Sequence, residues 1–169
     1  MRAQTRQAER PSQKSNAHGF SLIELLIVVA VILVIAAIAI PNFIRSKERA
    51  NEASAVSNVR TVSTAEVVYS TTYGIGYSTA LASLGGNNVT VDQNDAGLID
   101  SVLASGTKSG YTFTYSVLAT DVNGDVLGFS VNADPVLPGQ TGDQHYYSDE
   151  SDIIRHNLTQ PASATDPSI

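Results

Sequence analysis

One carboxylate in this chain lies where a carboxylate is costly. Glu24 is the only charged residue between positions 20 and 40, a stretch of 21 residues in which Ser21 is the only other polar one. A carboxylate inside a membrane segment costs about 2.5–3.5 kcal/mol on insertion scales, and such residues usually have a partner. The chemistry open to Glu24 is therefore electrostatic: it pairs with a cation, or it offsets the positive end of its own helix. A second set of acids, Asp143, Asp149, Glu150 and Asp152, crowds one part of the chain. Oxygen ligands so placed suit calcium, with Asp143, Asp149 and Asp152 as the candidates; the competing reading is a solvated acidic loop. Asp121-Val122-Asn123-Gly124-Asp125 resembles a calcium loop only superficially. Its glycine falls too early for an EF-hand and no Glu takes the twelfth place, so a hairpin turn is expected instead. His18, His145 and His156 have no ligand spacing, and the last two are expected to flank strands on the surface. The chain has no cysteine, which excludes thiolate metal sites, redox CxxC centres and cysteine nucleophiles. No P-loop, GxSxG or Ser/His/Asp set is present, so no enzyme, no catalytic residue and no cofactor beyond the calcium candidates is expected. Asn88-Val89-Thr90 and Asn157-Leu158-Thr159 are glycan acceptors only in a host with that machinery.

The element that must carry Glu24 is plain from the pattern. Every residue from Leu25 to Ile40 is apolar. Residues 20–40 as a helix span about 31 Å, close to the thickness of a bilayer's hydrocarbon core. The remainder of a 169-residue chain is too small to wrap such a helix on all sides, so a membrane span is expected. A secretory signal peptide is the rival, with Ala37-Ile38-Ala39 as an A-x-A-like cleavage string. Four Lys/Arg precede the apolar run and Arg45, Lys47 and Arg49 follow it, so the positive-inside bias is weak.

The formal net charge of −6 is unevenly spread. Arg2, Arg6, Arg10 and Lys14 face only Glu9 in the first 19 residues, whereas fifteen acids outnumber six bases afterwards. The basic end suits an anionic inner leaflet. The acidic remainder repels nucleic acid, and no direct nucleic-acid site is evident.

Gly19-Phe20-Ser21-Leu22-Ile23-Glu24-Leu25-Leu26, with its basic leader and the apolar run behind it, resembles the processing motif of type IV prepilins and type II secretion pseudopilins. The motif joins a Gly-Phe junction, a lone Glu four residues on, and a span that starts at the junction; it covers about residues 14–45. The resemblance implies that a prepilin peptidase cuts between Gly19 and Phe20 and methylates the new amine of Phe20. A glycine, lacking Cβ, lets a protease approach the backbone. It further implies that Glu24 pairs with the Phe20 amine of a neighbouring subunit during assembly, the intramolecular alternative being the helix-end role above. The 19-residue leader is longer than in many pilins, and the family's frequent C-terminal disulfide is missing.

Downstream, Pro41 is expected to bend a helix that continues to position 73, about 80 Å in all. Val56, Val59, Val62, Ala65 and Val68, completed by Tyr69 and Tyr73, read as its buried stripe, and polar residues including Asn58, Arg60 and Glu66 as its other faces. Gly74 and Gly76 terminate it. Short helical turns are expected at 78–84 and 95–103. Tyr111, Phe113, Tyr115 and Val117 alternate with polar residues, as do Leu127, Phe129 and Val131, with the turn signal Asn123-Gly124 between them. Tyr146-Tyr147 and Ile153-Ile154 read as a further strand pair, and the last twelve residues as a loosely held tail.

The chain is thus read as α+β, a long N-terminal helix with an apolar transmembrane half and an amphipathic half packed on a small antiparallel sheet. Its divisions are a basic leader (1–19), a transmembrane or filament-core helix (20–40), an amphipathic continuation (41–74), an αβ connector (75–110), an antiparallel β region (111–157) and a C-terminal tail (158–169). The resemblance implies a structural subunit of a filament serving adhesion, motility or DNA uptake. Its expected partners are further copies of itself, related minor pilins, the prepilin peptidase, an inner-membrane assembly platform and, before assembly, the lipid bilayer. It implies a single pass in the bacterial inner membrane with the N-terminus cytoplasmic, then a periplasmic or extracellular filament. A pseudopilin driving protein export shares all of these features. A membrane-tethered enzyme or binding module, and a single-span protein that never assembles, are the alternatives of another class.

Overall fold

The computed structural model describes residues 19–86 and 91–169. The leader up to His18 and the acceptor Asn88-Val89-Thr90 lie outside the described residues. Two compact units divide the chain, Met1–Ala39 and Ile40–Ile169. In the first, the described part is helix from Leu22 onward, the start of α1 (Leu22–Tyr73). Its side chains are exposed at nearly every position. By length and composition it can cross a membrane.

The second unit contains the rest of α1, with Pro41 inside the helix. It also holds α2 (Leu81–Leu84), α3 (Ser101–Ala104) and strands β1 (Thr107–Lys108), β2 (Tyr111–Thr120), β3 (Val126–Pro135), β4 (His145–Asp149) and β5 (Arg155–Asn157). The five strands form one antiparallel sheet in sequence order. Tyr111, Phe113 and Tyr115 on β2 stand opposite Pro135, Ala133 and Val131 on β3. That face meets Ala55, Val59, Val62, Ala65 and Tyr69 of α1 in one core, joined by Leu84 and Leu103 of the short helices. The fold is α+β, as expected, with the helix packed on an antiparallel sheet.

The buried stripe of α1 differs from the expected one. A repeat of three falls short of a 3.6-residue turn by about 60° at each step, so the 56-59-62-65-68 series drifts around the helix. The buried positions instead follow alternating steps of four and three: Ala55, Val59, Val62, Glu66 and Tyr69. Val68 is exposed, while Glu66, read from sequence as a surface residue, has no exposed area at all.

Helix α1 stops at Gly74, whose φ is +68° and whose amide donates to Ser70 O at 3.0 Å. A residue without Cβ adopts that left-handed turn at little cost. Tyr69 and Tyr73 then fasten the chain beyond, their hydroxyls donating to Gln93 O and Asp92 O at 2.8 and 2.9 Å. Helix α3 begins later than its apolar spacing implied, because Asp100 caps it by accepting from the Leu103 amide at 3.0 Å. Residues 98 and 99 remain outside the helix, although Ile99 is buried.

The hairpin loop covers residues 121–125. Asp121 organises it: its Oδ1 accepts the Asn123 and Asp125 amides, each at 2.8 Å. These bonds, Asp125's foremost, hold its carboxyl below the usual aspartate range. The side chain that resembled a calcium ligand therefore closes a turn.

Two further expectations are corrected. The last strand is Arg155–Asn157 rather than Ile153-Ile154, with His156 opposite Tyr146. The chain reverses through residues 149–152, where Asp152 takes a positive φ of 58°, and reaches sheet register only after Ile154, which is buried in the core. The tail is not loose. Ala162 is buried and its carbonyl accepts from Asn132 Nδ2 at 2.7 Å. Asp166 O accepts from Arg155 Nη1 at 2.8 Å, and the Ile169 amide donates to Ile154 O at 3.1 Å. Asn132 pairs with Tyr147 across β3 and β4, so the tail reaches the side of the sheet opposite the helix, which accounts for the burial of both Tyr146 and Tyr147. A polar group larger than the methyl must be buried there: Ala162→Asp is expected to destabilise the protein by about 1–3 kcal/mol, read as a lower melting temperature in detergent. An unchanged melting temperature would show that the tail contributes nothing.

Candidate assembly site

The residues singled out by their chemistry lie at the start of α1. Gly19 and Phe20 precede the helix, and Phe20 is 77% exposed. A Cβ added at Gly19 meets nothing within 4 Å, so the fold of the described chain makes no demand for glycine there. The Ser21 amide donates to Glu24 Oε2 at 2.9 Å, and the Leu25 amide donates to Ser21 O at 3.2 Å. Ser21 thus stands at the N-cap with Glu24 three residues on, the S-x-x-E spacing in which the acid reaches back to the cap amide. The intramolecular role considered from sequence is therefore occupied in this structure. The carboxylate satisfies an amide that the helix itself leaves without a partner, at the end where the helix dipole favours negative charge. The signal was present in the sequence as Ser21-x-x-Glu24.

Behind Glu24, the side chains of residues 25–40 find almost no cover within their own unit; only Ala36 is half-buried. Leu33, Val34, Ile35 and Ile38 are each more than 60% exposed. An exposed apolar surface of this length is stable only in a non-aqueous surrounding, lipid or protein.

The other candidates are dispersed. Asp143 Oδ1 accepts from the Gly139 amide at 3.1 Å, and its own amide donates to Glu52 Oε1 at 2.9 Å. Asp149 accepts from the Ser151 amide and hydroxyl and from the Tyr147 hydroxyl. Burial opposes its ionisation, but the bonds from Ser151 outweigh it and keep the carboxyl below the usual range. Asp152 is exposed on the turn. Among the described residues no three acidic, histidine or cysteine side chains come together as a metal site. His145 and His156 sit within strands, partly buried, the first paired with Asp134 Oδ1 at 2.5 Å and the second with Gln144 Oε1 at 2.9 Å.

Two kinds of likeness bear on this site, to a family model and to individual proteins. The family model for the prokaryotic N-terminal methylation motif matches residues 14–40. A fimbrial protein of Pseudomonas aeruginosa is 36% identical over 123 residues, covering 63% of this chain and 80% of that protein. The type IV major fimbrial protein FimA of Dichelobacter nodosus is 34% identical over 134 residues, covering 76% and 81%. The type IV major pilin protein PilA of Myxococcus xanthus is 52% identical over 48 residues, 28% of this chain and 22% of that one. No solved structure gives a significant match.

The cap has a local consequence. Glu24→Ala removes the acceptor of the Ser21 amide, a loss of about 0.5–2 kcal/mol at a helix start. In micelles the Ser21 amide should exchange with solvent roughly 2–30-fold faster, measured by NMR against the intrinsic rate. An unaltered rate would mean that the carboxylate does not hold the cap.

Proposed function

The chain belongs to the type IV pilin family, and from that premise we propose that it is made as a precursor, cut between Gly19 and Phe20, methylated at Phe20 and polymerised through residues 20–40. Its relatives are subunits of fimbriae and pili, and it is a structural subunit of the same kind, anchored by α1 before assembly. The observation that carries the assembly reading is the exposed apolar surface of residues 25–40 with one acid at its head.

In this reading the membrane is the first solvent of that surface and neighbouring copies are the second. The N-terminus stays on the cytoplasmic side until a prepilin peptidase removes the leader. Gly19 supports the cut, since the described chain leaves space around it and the requirement for glycine then lies with the enzyme. Cleavage frees a cationic amine on Phe20, one residue before the cap. Glu24 holds the Ser21 amide through Oε2, and a carboxylate accepts further bonds through its second oxygen. That oxygen is the acceptor for the Phe20 amine of an adjacent subunit on the assembly platform. A unit charge pair at this depth removes the cost of an isolated carboxylate in hydrocarbon. Pro41 lies at the end of the apolar run, where a missing backbone bond lets the helix bend. Filaments so built serve adhesion, motility or DNA uptake, with minor pilins among the partners.

Protein sheared from the cell surface should begin at methylated Phe20 by mass spectrometry, in long fibres. Fibres confined to the periplasm would assign the subunit to protein export instead. Gly19→Val should leave precursor of full length in the membrane, and mature protein starting at Phe20 in that variant would refute the cut. Glu24→Leu should insert at normal levels but yield at least about tenfold fewer fibres, the loss for 1.4 kcal/mol per subunit addition. Normal fibre yield in this variant removes the pairing role.

A further inference from the structure

The most deeply buried acid in the second unit takes no part in the assembly reading. Glu66 has no exposed area. It lies on the core face of α1 and reaches the chain just beyond the helix. Its Oε2 accepts the Ser78 amide at 2.8 Å, and its Oε1 lies 2.5 Å from Ser78 Oγ. Ser78, itself wholly buried, is also 3.1 Å from Ala80 O through the same Oγ. The Tyr115 hydroxyl of β2 donates to Ser78 O at 2.9 Å and interacts with Glu66 as well. One acid therefore joins α1, the connector and the sheet.

The protons do not balance if that acid is ionised. A serine hydroxyl has one hydrogen, yet Ser78 Oγ sits within hydrogen-bond distance of two oxygens, Glu66 Oε1 and Ala80 O. With a carboxylate, both neighbours are acceptors, and one contact brings two lone pairs together. With the neutral acid, Oε1–H donates to Ser78 Oγ, Ser78 Oγ–H donates to Ala80 O, and Oε2 still accepts the Ser78 amide. Both contacts of Ser78 Oγ are then hydrogen bonds. The charges nearby agree. The titratable groups facing Glu66 are Tyr69 on its own helix and Tyr115 on β2, and the ion pairs of the described residues do not include it. Among the described residues no ion pair supplies Glu66 with a cation to offset the cost of a buried carboxylate.

We propose that Glu66 is held as the neutral acid and that its proton acts as a latch, fastening the connector at Ser78 to α1 and β2 and releasing it on ionisation. Burial pushes the Glu66 carboxyl above the ordinary glutamate value, and the bonds from Ser78 and Tyr115 oppose this without reversing it. Burial likewise keeps the Tyr115 hydroxyl protonated well above its ordinary range, so Tyr115 remains a donor throughout. The sign of the effect follows. An acid whose folded value is raised contributes stability that is complete below the unfolded value, about 4.3. That stability is lost as the pH rises through the folded value.

The test compares melting temperatures of the full-length chain in detergent micelles with those of Glu66→Gln, from pH 4 to pH 9. Glutamine keeps an acceptor for the Ser78 amide and a donor for Ser78 Oγ, but it does not titrate. The two proteins should melt together at pH 4, and the wild type should fall behind the variant by more than about 2 °C as the pH rises. A constant difference across the range, or a wild type that gains on the variant, overturns the latch. If Glu66→Gln does not fold, a site-resolved carboxyl-carbon NMR titration of the wild type decides. Glu66 should protonate above the ordinary glutamate value of about 4.3, and a midpoint at or below that value overturns the proposal.

Discussion

The constraint behind everything else is the apolar surface of residues 25–40, which the unit it belongs to leaves uncovered. Only Ala36 is even half-buried there, and no turn, loop or strand of that unit lies over it in the described residues. A water-solvated version of this helix would expose one large side chain after another at a cost of about 25 cal/mol per Å². The chain therefore has to keep those side chains in lipid or among other chains at every stage of its existence. In the proposed reading, membrane anchorage and polymerisation are two solutions to the same solvation problem, and a single helix serves both.

The second unit is built on different terms, since it covers its own apolar face. It buries one face of α1 against a sheet whose inward side is aromatic and β-branched, and it buries part of the sheet's other face beneath its own last residues. Tyrosine hydroxyls carry much of the tertiary hydrogen bonding: Tyr69, Tyr73, Tyr111 and Tyr115 each donate to a backbone carbonyl in another segment. The approach is close at Gly142, where a Cβ would come within 2.1 Å of the Tyr111 hydroxyl. A chain without cysteine thus holds its C-terminal residues by packing and by hydrogen bonds such as those of Arg155 and Asn132.

Legibility in the sequence followed the strength of the local pattern. The apolar run, the alternating strands β2 and β3 and the helix stop at Gly74 are written in consecutive residues, and they were readable. The buried face of α1 was misplaced because several apolar residues three apart looked like a stripe, whereas the helix turns by 3.6 residues and selects a 4-3 series that includes Glu66. The position of β5 and the docking of the tail depend on non-local partners, Tyr146 and Asn132, which no local pattern announces. At the candidate site, Gly19, Phe20 and Glu24 could be named from spacing. The bond from the Ser21 amide to Glu24 is legible too, as an S-x-x-E box set at the head of the apolar run. The acids at 143–152 looked clustered in sequence, but Asp143 and Asp149 turn to separate backbone and hydroxyl partners.

A spin label on a single introduced cysteine, Val34→Cys, tests the exchange of lipid for neighbouring copies most directly, since the chain has no other thiol. In membranes before assembly the label should relax with dissolved oxygen and show no coupling between copies. In intact fibres it should be shielded from both oxygen and water-soluble reagents, and its spectrum should broaden through coupling to labels on adjacent subunits. A label in the fibre that remains open to water-soluble reagents and uncoupled would contradict the account.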